Sequence, residues 1–377
     1  MNLLFLLIIL SSSFLITEAD ATVHFPPPLK QVSEGVLPKN VICSEVFSLI
    51  IKTADASPAC VNYTSVEKLI QRGWGIKIPD TIIVQKAQSI WDYSIQQQEN
   101  EFEGDYIKGP TEDGYEITKY EVAGNTIEKI SDLKLPSNLI HLQKDNEKHY
   151  EIWNNFINLI PEANRNISVF YLTTDGIGEI GGGVNRDLED LSKWYLFYDI
   201  YDSYPDGEFD AKVTTHTTIH EFGHILTTSS NQLEVDSELL RMLSNDENKF
   251  DDIFAIKSEE CFPRYMSVDG CAKTNSYINQ FYQRFWTDII SEWDEIQYIE
   301  SDDKYYEQMT LFYEVYEDRF VSEYASTNVD EDIAESWTAF VLLEKPRDTT
   351  FISNQKILFF YEYPELIEMR NHIRNNL

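Results

Sequence analysis

Apolar positions recur at three- and four-residue intervals along much of this chain and alternate with polar ones in a few short stretches. The helical period predicts a long helix over Ile83–Glu103, carrying Ile90, Trp91, Tyr93 and Ile95, and another over Asp145–Leu159, carrying Trp153, Phe156 and Ile157. The whole of residues 41–106 reads as mainly helical. A further helix is expected at Leu233–Leu243, and roughly the last hundred residues read as helix upon helix: Tyr277–Ile299, Lys304–Arg319, Glu331–Leu343 and Asn354–Asn375. Alternation with β-branched and aromatic residues predicts strands at Tyr115–Val122, Ile167–Leu172 and Trp194–Ile200. The pattern describes an α+β molecule with a small mixed sheet, a central helix and a mainly helical lobe behind it, enclosing a two-lobed cleft. The loop Lys108–Gly114 is the best internal boundary, giving a mainly helical region over 22–110 and a second domain over 111–377.

Charge and termini narrow this picture. In 377 residues, 64 Asp and Glu face 30 Lys and Arg, a formal charge of −34. Such a surface repels nucleic acid and anionic membrane, which argues against both as partners. An apolar run opens the chain, and Ala19 and Ala21 follow it at the spacing of a cleavage site. Residues 1–21 are therefore expected to be a secretory signal, although no Lys or Arg precedes the run. Cys43, Cys60, Cys261 and Cys271 remain. An even count in a secreted chain predicts two disulfides, most simply Cys43–Cys60 and Cys261–Cys271. Asn62 and Asn166 begin N-glycosylation sequons.

The chemistry concentrates in His220-Glu221-Phe222-Gly223-His224, on a helix expected to begin near Thr214 or Thr215. Residues four apart share a helix face, so His220 and His224 can aim imidazole nitrogens at one metal ion, with Glu221 beside them as general base. His216 is at the same spacing, but it is too far along the axis from His224 to share that ion. It is expected to be structural or to support a ligand from behind. The extended form of the motif places a glycine and then a third histidine after His224; those positions hold Thr227 and Ser230. The third ligand must therefore come from elsewhere, most plausibly as a carboxylate. Two groups compete. Glu234, Asp236 and Glu238 follow too closely for the chain to turn and return. Glu331 and Glu335 lie much further on and share a helix face, so that one can ligate while the other hydrogen-bonds a ligand imidazole.

Gly176–Gly183 contains a G-x-G-x-x-G after a strand, with Asp199 at the distance of a ribose-binding acid. Glu179, Asp187, Glu189 and Asp190 crowd the place a pyrophosphate would take. The segment reads instead as a Gly-rich turn or sheet edge near a substrate cleft.

The segment Tyr324 to Trp337, taken with the first motif, resembles the anthrax lethal factor-like metallopeptidases, a group that includes secreted Pro-Pro endopeptidases. The shared features are the H-E-x-x-H, a Tyr seven residues before a Glu, and an Ala-Glu after it. The resemblance implies a zincin-like fold and one zinc ion held by His220, His224 and Glu331. It also implies Glu221 as base, Tyr324 as the hydroxyl steadying the tetrahedral intermediate, and Glu335 supporting a ligand. The interval from His224 to Tyr324 is longer than the family implies and holds Cys261 and Cys271, so substrate preference does not carry over. The expected activity is hydrolysis of peptide bonds by a secreted zinc endopeptidase, with a protein or peptide substrate along an edge formed by Ile167–Leu172 or Trp194–Ile200. The rival readings are an inactive secreted binder or toxin subunit that kept the fold, and a hydrolase of non-peptide amides. Intact His220, Glu221, His224 and Glu331 weigh against the inactive binder.

Overall fold

The computed structural model describes residues 26–377 except 34, 37, 39–40, 42, 44–46, 78–79, 100–106, 108, 111–113, 177–180, 244–246 and 300. The expected signal at 1–21, Glu179 and much of the 108–114 loop lie outside the described residues. Contacts divide the chain between residues 79 and 80, earlier than the boundary read near 110.

In the first unit, β1 (Phe47–Lys52) pairs antiparallel with β2 (Pro58–Asn62) on one side and β3 (Gly75–Lys77) on the other. Residues 41–106 were expected to be mainly helical; among the described ones Tyr63–Gln71 and Asp80–Glu99 are helices, while β1, β2 and β3 are strands. The apolar run in β1 is too short for its period to separate strand from helix. Ser48 and Ile50 point inward while their neighbours do not, which is the strand period. Cys43 and Cys60 form a disulfide within this unit.

The second unit begins with the helix Asp80–Glu99. Its main sheet contains β4 (Tyr115–Ala123), β5 (Thr126–Asp132), β6 (Ile167–Thr174), β7 (Gly182–Arg186) and β8 (Trp194–Asp199), in the order β5-β4-β6-β8-β7. Only β6 and β8 run parallel. Trp153, on the helix Asn146–Leu159, is buried against Phe156 of the same helix and against Phe170 of β6, whose ring also meets Tyr198 of β8. The Tyr198 hydroxyl reaches the Thr218 hydroxyl at 2.7 Å, tying the sheet to the helix Ala211–Thr228. That helix, the motif helix, starts earlier than its Thr-rich sequence suggested. Asp210 caps it by accepting from the backbone N–H groups of Lys212 and Val213.

After the motif helix, β9 (Leu233–Val235) pairs with β11 (Gly270–Ala272), which pairs with β10 (Met266–Ser267). The helix expected over Leu233–Leu243 is confined to Ser237–Leu243. The remainder is helical, as anticipated, but two of the expected spans are each broken in two: Tyr277–Phe285 and Ile290–Gln297, then Asp302–Tyr316, Val329–Leu342, and Ile352–Phe360 and Pro364–Asn376. A core of Phe281, Trp286, Phe312, Phe340 and Phe360 joins them. Within it the fully buried Lys356 ammonium pairs with Asp332 at 2.5 Å and lies over the Phe320 ring. The fold is α+β. Among the described residues, no helix is long and apolar enough to cross a membrane.

Candidate metal centre

The motif helix and the helix Val329–Leu342, here the glutamate helix, cross in close contact. A Cβ on Gly223 would lie 3.0 Å from Trp337 Cδ1 and 3.1 Å from Ala334 Cα, so glycine permits the approach. Asn328 caps the glutamate helix, its side-chain oxygen accepting from Glu331 N at 2.9 Å. Glu331 thereby stands in the first turn, facing the histidines.

The two helices bring together residues more than a hundred positions apart. Glu331 Oε2 lies 3.0 Å from His220 Nε2 and 3.3 Å from His224 Nε2, and the two imidazole nitrogens are 3.1 Å apart. His220 donates from Nδ1 to Glu335 Oε1 at 2.8 Å, and Ser322 Oγ donates to the other Glu335 oxygen at 2.7 Å. Glu335 is fully buried. With its proton held on Nδ1, His220 turns a lone pair toward the Glu331 oxygen and the His224 nitrogen. Three acceptors this close need a positive charge among them, a proton or a metal cation.

The donor set fits zinc. Ligands at 2.0–2.1 Å in a tetrahedron stand about 3.3 Å from one another, close to the three separations observed. His220, His224 and Glu331 are the one group among the described residues whose ligand atoms are gathered in this way. Burial would raise the Glu331 pKa, but the charges and hydrogen bonds of His224 and His220 outweigh it and hold the carboxyl far below its ordinary value. Burial would lower both imidazoles, yet Glu331, with Glu335 beside His220, raises them. Protons and a cation therefore compete for the same donors.

Glu221 is buried next to this group. Burial raises its pKa against the pull of His220 and His224. The ring of Tyr324, on a short turn seven residues before Glu331, is centred 5.8 Å from that of His220. Burial of its hydroxyl, then the charges of Glu331, Glu221 and Glu335, push its pKa far up, so it keeps its proton. Each site residue expected from the sequence is thus at this centre. Ser322, which fixes the second oxygen of Glu335, was not foreseen; it sits two residues before Tyr324, and nothing in its local pattern marks it.

The competing carboxylates are elsewhere. Glu234 pairs with Arg264 at 3.0 Å, and Asp236 caps the helix Ser237–Leu243. His216 is buried against Trp91, with its ring centroid 5.8 Å away, and its Nε2 has no hydrogen-bond partner among the described residues. Burial pushes its pKa down to about 4, so it is a neutral packing residue.

The His220, His224 and Glu331 cluster opens on a cleft of about 790 Å³, also lined by Gly182–Asn185 of β7, Glu221 and Tyr324. The segments expected to offer an edge to substrate, β6 and β8, are interior strands; the edges are β5 and β7, and β7 is the one that lines the cleft. Its glycines hid it from the alternation pattern, and close packing requires them: a Cβ on Gly183 would lie 2.4 Å from the Phe197 ring. Asp199 caps the short helix Ile200–Ser203 and is fully buried, which removes it as a ribose-binding acid. A disulfide joins Cys261 and Cys271 at the border of the cleft, the simplest of the three pairings that four cysteines allow. Comparison of the chain with protein-family models, curated proteins and solved structures finds no match.

Proposed function

We propose that this chain is a secreted zinc-dependent endopeptidase of the lethal factor-like kind, with a zincin-like two-lobed cleft. The observation that carries the reading is the convergence of His220 Nε2, His224 Nε2 and Glu331 Oε2 at 3.0–3.3 Å from two separate helices. A zinc ion bound there would supply a Lewis acid that polarises a carbonyl and makes water easier to deprotonate. Glu221, buried beside the two histidines, would take the proton from the attacking water and pass it to the leaving amine. Tyr324 keeps its proton and can donate to the carbonyl oxygen as negative charge develops on it. Glu335 and Ser322 hold the His220 ring in the tautomer and orientation a ligand needs.

The edge strand β7 faces the cleft and offers backbone groups to an extended peptide, so the substrate would add as a further strand. Two disulfides agree with an oxidising, extracellular setting. Exposed Asn62 and Asn166 are available to a glycosylating host. The test is chelator-sensitive cleavage of an unstructured polypeptide by purified protein of measured zinc content. Stoichiometric zinc with cleavage that stops on chelation supports the peptidase. Stoichiometric zinc with no cleavage of any peptide favours the inactive binder.

A further inference from the structure

The disulfide-closed hairpin between Cys261 and Cys271 has no part in the metal centre, yet it is fastened to the elements that build it. Tyr265 donates its hydroxyl to Asp330 Oδ2 at 2.5 Å, and Ser267 donates to the other Asp330 oxygen at 3.0 Å. Asp330 directly precedes Glu331. At the other end Asp269 Oδ2 accepts from Arg186 Nε at 2.8 Å and Nη2 at 2.6 Å, and Arg186 is the last residue of β7. The same guanidinium donates to Thr228 O, at the end of the motif helix. The hairpin therefore bridges the edge strand and the glutamate helix, and most of the length between its cysteines lines the cleft.

The hairpin's polar side chains are consumed by these attachments, and Arg264 is paired with Glu234. What remains to face the cleft is apolar. Phe262 is 75% exposed and Val268 45% exposed, and both line the cavity that holds the metal centre. Phe254, from the preceding helix Glu247–Cys261, joins them there. Large apolar side chains left in water on a rigid frame beside a reactive centre are the makings of a binding hot spot.

We propose that this hairpin is the substrate-selecting wall of the cleft, with Phe262 and Val268 receiving a large apolar side chain of a peptide laid along β7. The proposal rests on the peptidase reading and supplies its substrate class. The attachments to Asp330 and Arg186 make the wall rigid, so selection acts through binding.

The test uses zinc-loaded Glu221→Gln protein and fluorescent peptides of one parent sequence, each position carrying Ala, Leu or Phe in turn. Affinity is read by fluorescence anisotropy. At one position Leu or Phe is expected to bind about tenfold more tightly than Ala, as one well-buried apolar anchor gives. Adding Phe262→Ala and Val268→Ala, both exposed and outside the attachments, should reduce that ratio to within about twofold. Peptides with Ala at that position should keep their affinity. A preference that survives both substitutions overturns the proposal, and so does the absence of any preference or of any binding. Hydrolysis by the unsubstituted protein is scored separately. Its absence would overturn the peptidase reading whatever the binding profile, whereas cleavage with an unchanged profile in the Phe262 and Val268 variants would sink the wall alone.

Discussion

Gly223→Ala puts the helix crossing itself to the test. The added Cβ would stand 3.0 Å from Trp337 Cδ1, 3.1 Å from Ala334 Cα and 3.3 Å from Ala334 Cβ. Carbon atoms rest at about 3.5–4.0 Å, so something must yield by about half an ångström. Trp337 is fully buried and wedged among Phe222, Phe340 and Phe360, which leaves the glutamate helix to move. Alanine favours a helix interior over glycine by about 1 kcal/mol, while overpacking costs about 1–3 kcal/mol. Net stability should therefore change by no more than about 2 kcal/mol. The site is less forgiving, because metal–ligand distances hold to about 0.2 Å. Glu331 would withdraw from two histidines anchored on the other helix, and zinc affinity should fall about tenfold or more, or about 1.4 kcal/mol. Competitive titration against a chromogenic chelator measures the affinity, and urea unfolding of the metal-free protein measures the fold. Unchanged affinity in a folded Gly223→Ala protein would refute the idea that this contact sets the donor geometry.

Three further substitutions separate roles. Glu331→Ala should lose stoichiometric zinc and Glu234→Ala should keep it, by metal analysis after dialysis, since Glu234 is occupied with Arg264 at the surface. Tyr324→Phe should retain zinc and KM but lose roughly 100-fold in kcat, the usual effect of removing one oxyanion donor. His216 gives a pH signature. Its folded pKa, about 4, lies below the ordinary 6.5, so between those values the unfolded chain binds the extra proton. Its contribution is full above pH 6.5 and is lost as pH falls toward 4. At 1.36 kcal/mol per unit the loss is about 3 kcal/mol. Urea midpoints of His216→Gln should decline less over that range than those of the parent; parallel decline would contradict the assignment.

Periodicity exposed what the helices contribute to this site. The four-residue spacing put His220 with His224, and Glu331 with Glu335, on shared faces, and the two faces do meet. It could not show where helices break. Pro364 opens the last helix, a mark of a helix start that the longer expected span Asn354–Asn375 passed over. The edge strand β7 was obscured for another reason: Gly182 and Gly183 are selected by close packing and carry no hydrophobic pattern. In β1 the short apolar run fitted either period, and only pairing with β2 and β3 decides it as a strand. Ser322 and the attachments of Asp330 are products of tertiary contact. No local rule could find them.

The most direct test is paired measurement of zinc content and peptide hydrolysis in the parent protein and Glu221→Gln. Glu221 is not among the three gathered donors, and glutamine preserves its shape. The expected result is one zinc per chain in both proteins, with chelator-sensitive hydrolysis in the parent and a loss of at least about 100-fold in the variant. Hydrolysis by Glu221→Gln at the parent rate, or a parent protein that binds no zinc, would contradict the account.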